Sequence, residues 1–200
     1  MPSPLLLLQN QGRGKPIWTY DPRAEHTIPR FLDTFTDTNG VLLENHTPDI
    51  DIVGGGWVDD ADEWEIQSNK ATTSLGQAHT TEIDVGTADY TLKVTHVTDS
   101  AATGGWIVFR GSWGVQFDLG DVSVVTPGGF IVLFAEALST SYDIIIVCRG
   151  NRINIWIDGV LVFSGVDDTG NDVTTILLDD WSFFHGGNFD STWDNLTVMV

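Results

Sequence analysis

The stretch Arg152-Ile153-Asn154-Ile155-Trp156-Ile157-Asp158-Gly159-Val160-Leu161-Val162-Phe163 decides the fold. Two apolar-rich runs flank Asp-Gly, the dipeptide that tolerates positive φ at both central positions of a type I′ turn, so the segment is a β-hairpin. With Asp158 and Gly159 as the loop, Ile157 faces Val160 and Ile155 faces Val162, and these form one apolar face together with Ile153. Trp156 then faces Leu161 and Asn154 faces Phe163 on the other side. A hairpin apolar on both sides is either covered by another segment or forms a contact surface.

Working outward, the same period of two recurs. Tyr90, Leu92 and Val94 alternate with Thr91, Lys93 and Thr95, which predicts one buried and one wet face. Trp113 to Asp118 alternates likewise, and the last run points Leu196, Val198 and Val200 inward. Phe130 to Ala135 and Tyr142 to Cys148 are continuously apolar, the pattern of central strands buried on both faces. Gly, Asp, Asn and Thr clusters separate the runs, as in an antiparallel sandwich. The 8 Trp and 10 Phe, with abundant Val, Ile and Thr, favour strands, so the chain is predicted to be nearly helix-free. Two stacked antiparallel sheets are expected over residues 31–200.

Residues 1–30 differ. They carry five of the seven prolines and no strand or helix period, which predicts an extended arm. The arm holds four basic and two acidic residues (net +2); the other 170 hold five basic and 26 acidic (net -21). Leu5, Leu6, Leu7, Leu8, Ile17, Trp18 and Tyr20 are costly to leave in water, so these residues, with Arg13 and Lys15, are expected to dock on a neighbouring subunit or on the body. A homo-oligomer or a larger assembly follows. The Leu5–Leu8 run is too short for a signal-peptide core or a membrane span, so no secretion signal and no membrane insertion are expected.

The overall formal charge of -19 disfavours nucleic acid and anionic membrane surfaces as partners. Cys148 is the only cysteine and lies in an apolar run, where an inert buried thiol is expected.

Several segments in order resemble the concanavalin-like lectin and glucanase jelly rolls, including laminin-G-like domains. They are Phe31 to Pro48, which looks like the opening of such domains in bacterial and phage proteins, then Gly56-Trp57, Glu63-Trp64-Glu65-Ile66, Gly105 to Arg110, the Asp158-Gly159 hairpin and Trp193 to Val198. The resemblance covers about residues 31–200 and implies an all-β, concanavalin-like jelly roll. It does not imply an activity, because this architecture hosts lectins, hydrolases and spacers alike.

The chemistry is sparse. Glucanases of this fold use a Glu-x-Asp-x-Glu strand, which places three carboxylates on one face. Here Glu63-Trp64-Glu65 offers two, and Gly111-Ser112-Trp113-Gly114 is not a nucleophile elbow. No catalytic residue and no enzymatic activity are expected. The histidines lack metal-ligand spacing. Asp59, Asp60, Asp62, Asp167 and Asp168 place hard oxygen donors in short acidic loops, and are candidate calcium ligands because lectin-like sandwiches often bind that ion. For sugar, a tryptophan with oriented polar neighbours supplies stacking and hydrogen bonds. The candidates are Trp156 with Asn154 and Arg152, Trp106 with Arg110, and Trp181 with His185. Two functions fit: a structural protein of a virus particle, such as a bacteriophage capsid decoration or tail component with the arm gripping other virion proteins, or a carbohydrate-binding module for cell-surface glycans.

Overall fold

The computed structural model describes residues 27–59, 64–73, 79–97, 105–118, 121–135, 141–170, 173–180 and 192–200. Among them the chain is all-β, broken only by a single 3-10 turn at Leu43–Asn45. The strands are β1 (Pro29–Asp33), β2 (Ile50–Asp51), β3 (Val58–Asp59), β4 (Trp64–Ile66), β5 (Ala71–Thr73), β6 (His79–Asp84), β7 (Tyr90–Val97) and β8 (Gly105–Phe109). They continue with β9 (Trp113–Asp118), β10 (Asp121–Thr126), β11 (Gly129–Ala135), β12 (Ser141–Arg149), β13 (Arg152–Ile157), β14 (Val160–Val166), β15 (Thr175–Asp180) and β16 (Thr192–Met199).

Two antiparallel sheets stack face to face, as the sequence predicts. Sheet A runs β14-β13-β12-β7-β16-β1-β2, with β5 joined to β16 and β4 to β5; sheet B runs β11-β10-β9-β8-β15-β6-β3. Alternation aims Tyr90, Leu92, Val94, Ile144, Ile146, Ile153 and Ile155 of sheet A against Ile107, Phe109, Val115, Phe117, Val124 and Leu178 of sheet B. Aromatic rings knit the layers: His96 lies between Phe117 and Trp193, with ring centroids 4.2 and 4.4 Å away, and Phe31 meets Trp57 edge-on at 5.5 Å. Pro29 opens β1, so residues 29 and 30 of the expected arm belong to the sandwich. The docking residues Leu5, Leu6, Leu7, Leu8, Arg13, Lys15, Ile17, Trp18 and Tyr20 lie outside the described residues.

The Asp158-Gly159 turn forms as expected, with φ of 50° and 76°. Its register holds for Ile157 with Val160 and Trp156 with Leu161, then shifts: Ile155 pairs with Phe163 and Asn154 with Ser164. A bulge at Val162 causes the change and turns Phe163 toward the core, where its ring lies 5.8 Å from Trp113.

Three expectations are corrected. Phe130 to Ala135 is not a central strand: β11 is the edge of sheet B, with Phe130 59% and Val132 62% exposed. Its apolarity is split between faces by a bulge at Leu133, which lets Phe134 face Tyr142 in the core while Phe130 and Val132 face outward. The second face of β7 is not uniformly wet, since Thr91 is buried between Val147 and Met199 while Lys93 is exposed. The Ile155–Val162 pairing gives way to the bulged register above.

Candidate functional site

The outer face of sheet B carries two rows of side chains that cross the strands. One row runs Thr80, Asp179, Trp106, Gln116, Ser123 and Val132; the other runs Glu82, Leu177, Val108, Gly114, Val125 and Phe130. All alternate with core positions on their strands, so all face away from the core.

Trp106 organises this face. A methyl group at Gly114 would lie 2.0 Å from Trp106 Nε1 and 2.8 Å from its Cδ1, so the indole rests on the bare backbone of β9. Gly114 is therefore required for space. Beside it, Gln116 and Ser123 are only 6% and 7% exposed, yet neither side chain makes a hydrogen bond among the described residues. Neither is among the sealed side-chain atoms that lack a partner, so the amide and the hydroxyl open onto this face and are free to bond an outside molecule. The two rows hold two carboxylates, Glu82 and Asp179, and no basic group.

The other candidates separate. Arg152, Asn154 and Trp156 share the outer face of β13, but Trp156 is 8% exposed and offers little stacking area. Trp181 and His185 lie outside the described residues. Arg110 does not accompany Trp106. It is buried at one end of the sandwich, donating to Ala88 O from Nε (3.1 Å) and Nη2 (2.8 Å) and to Asp89 Oδ1 (3.0 Å). Asp89 Oδ1 also accepts from the Gly150 amide at 2.8 Å, so Arg110 joins three loops.

Arg110 also bears on the calcium candidates. The buried Asp167 accepts from Thr169 N (3.1 Å) and Oγ1 (2.6 Å), and its other oxygen lies 3.8 Å from Arg110 Nη1. Burial resists its ionisation, but the Thr169 hydrogen bonds and the guanidinium hold its carboxyl below the usual range. A fixed cation already faces it, and Asp168 is exposed beside it. Asp59 accepts from Trp64 N at 2.7 Å, while Asp60 and Asp62 lie outside the described residues. Among the described residues no cluster of three or more His, Cys, Asp or Glu could hold a metal.

One buried polar cluster escaped the sequence reading. Asp33 Oδ1 accepts from the Phe35 amide (2.6 Å) and meets His46 Nε2 (2.9 Å), and Asp33 Oδ2 accepts from Trp57 Nε1 (2.7 Å). His46 Nδ1 lies 3.0 Å from Asp37 Oδ2. Both ring nitrogens thus meet carboxylates. Burial opposes the imidazolium, but hydrogen bonds to Asp37 and Asp33 outweigh it and raise the His46 pKa. Among the described residues no hydroxyl or thiol bonds to the Asp33, Asp37 or His46 side chains, and the cluster pins the loop after β1 against Trp57. Cys148 is buried, and burial pushes its thiol up to about 12, in keeping with an inert role.

No protein-family model and no curated protein matches the sequence significantly. Solved structures do match in shape. The carbohydrate-binding module CBM66 from Bacillus subtilis aligns at 15% identity and a TM-score of 0.51, over 72% of this chain and 95% of that one. A structure from work on endo-acting O-glycanases of the human gut microbiota aligns at 10% identity and 0.58, over 84% and 98%. SCLam, a non-specific endo-β-1,3(4)-glucanase of family GH16, aligns at 9% identity and 0.55, over 85% and 89%. At these identities the likeness is one of fold alone: two antiparallel sheets stacked as a β-sandwich.

Proposed function

We propose that the protein is a non-catalytic carbohydrate-binding module whose ligand lies on the outer face of sheet B, against Trp106. The observation that carries this reading is the combination of a partly exposed indole with Gln116 and Ser123, whose stems are packed down while the amide and hydroxyl open onto the same face and make no hydrogen bond among the described residues. A sugar answers both features: its C–H face stacks on the indole and its hydroxyls pair with the amide and the hydroxyl. The similar folds include one described as a carbohydrate-binding module, which supports the reading.

The virus-particle role expected from the sequence rests on arm residues outside the described ones, and none of the similar structures named above is a virion protein. The carbohydrate reading is therefore the better supported of the two.

The test is a glycan array probed with the wild-type protein and two variants. Trp106→Ala is expected to weaken binding about thirtyfold, the loss of a central aromatic anchor. Lys93→Ala, on the outer face of sheet A, is expected to leave it unchanged. A blank array, or binding indifferent to Trp106, overturns the proposal. Reducing ends released from a bound polymer would overturn its non-catalytic part and direct attention to Glu82 and Asp179.

A further inference from the structure

The two rows that frame Trp106 do not stop at it. They continue across β9 and β10 to the sheet edge, where they end in Val132 and Phe130, both exposed. Adjacent strands lie about 4.8 Å apart, so the Trp106 indole over β9 and the Phe130 ring on β11 are separated by about 10 Å across the strands. Gln116 and Ser123 occupy the strands between Trp106 and β11, in line with Val132. The order across the face is aromatic, amide, hydroxyl, then an apolar edge with a second aromatic.

Resting on the carbohydrate reading above, we infer that the ligand is a neutral, linear oligosaccharide segment lying across the strands from Trp106 to Phe130, and not a single terminal sugar. One ring covers one platform; only a chain reaches both. The charge pattern selects the chemistry. From Trp106 to Phe130 the two rows hold no ionisable group, the charges that flank them are carboxylates (Asp121, two residues from Ser123 on the same face, and Asp179 and Glu82 at the other end), and the chain carries -19 overall. Uronate, sialylated or sulfated chains find no cation on this strip and are repelled by the body. The bulge at Leu133 serves the same end, because it sends Phe134 into the core and leaves Phe130 and Val132 on the binding face.

Titration calorimetry of the full chain against ladders of neutral gluco-, manno-, xylo- and galacto-oligosaccharides, from disaccharide to hexasaccharide, tests the inference. Affinity for the recognised series is expected to rise with length and then level off. Phe130→Ala, at an exposed position where folding is checked by thermal melting, is expected to lower hexasaccharide affinity about tenfold and to leave disaccharide affinity unchanged. A flat length dependence, a Phe130→Ala profile matching wild type, or preference for a uronic-acid ladder overturns it. If Trp106→Ala abolishes binding while Phe130→Ala changes nothing, the site stands and the chain-spanning ligand falls. If no ladder binds, the carbohydrate reading itself falls.

Discussion

Acidification should destabilise this sandwich through His96. The ring is fully buried between Phe117 and Trp193, and burial lowers its pKa to about 3, so it is neutral in the folded state. In the unfolded chain it titrates near its ordinary value of 6.5. Between these values the unfolded state binds the extra proton, so stability from this group is complete above about pH 6.5 and is lost as pH falls toward about 3. The loss is about 1.4 kcal/mol per pH unit, or about 2.7 kcal/mol at pH 4.5, which lowers the melting temperature of a chain this size by roughly 5–10 °C. Urea titrations of wild type and His96→Phe at a series of pH values isolate the effect, because the variant keeps an aromatic ring in the stack but cannot protonate. The stability difference between them should move by that amount between pH 7 and 4.5, toward the variant. Parallel curves for the two proteins would refute the reasoning.

Four further outcomes follow from other contacts. Gly114→Ala forces a methyl group onto the Trp106 indole and to 2.9 Å from the Ile107 carbonyl oxygen, so it should cost about 1–3 kcal/mol in urea unfolding and weaken glycan binding on the array. His46→Gln should destabilise most below about pH 6.5, with the deficit shrinking as pH rises through the raised folded pKa of wild-type His46; a deficit that grows with pH in denaturant titrations would contradict the charged Asp33–His46–Asp37 arrangement. Arg110→Met leaves the buried Asp167 without its cation and unties three loops, a loss of about 3–5 kcal/mol by chemical denaturation. Cys148 should resist a thiol reagent in the native protein and react once in denaturant; rapid native labelling would show that the thiol is not sealed.

The sandwich was legible in the sequence because period-two patterning and Asp158-Gly159 act locally. Strand position was less legible. Phe130 to Ala135 and Tyr142 to Cys148 have the same apolar density, yet the first is an edge and the second is flanked by β7 and β13. Apolarity records that a face is covered or used, not which, and a bulge at Leu133 or Val162 moves every later side chain without a distinctive residue to mark it. The proposed binding face was half legible. Trp106 was a candidate, but its assigned companion Arg110 lies four residues on, at the end of the sandwich, while its actual neighbours Gln116, Ser123 and Gly114 come from β9 and β10. The one signal that could have found them is the glycine amid alternating large residues in Trp113 to Phe117, a position where a strand interior favours a side chain unless another group needs the space. Asp33, Asp37, His46 and Trp57 are similarly scattered in sequence and meet only through the loop after β1.

The central claim is that Trp106, Gln116 and Ser123 form a sugar-binding surface on sheet B. Its most direct test is a heteronuclear NMR titration that follows indole and side-chain amide protons while a neutral oligosaccharide from the recognised series is added. The Trp106 indole N–H and the Gln116 amide should shift in step with ligand, while the core indoles of Trp57, Trp64 and Trp193 stay in place. Shifts confined to Trp156 and Asn154 on the outer face of sheet A, or none at Trp106 and Gln116 at saturation, would contradict it.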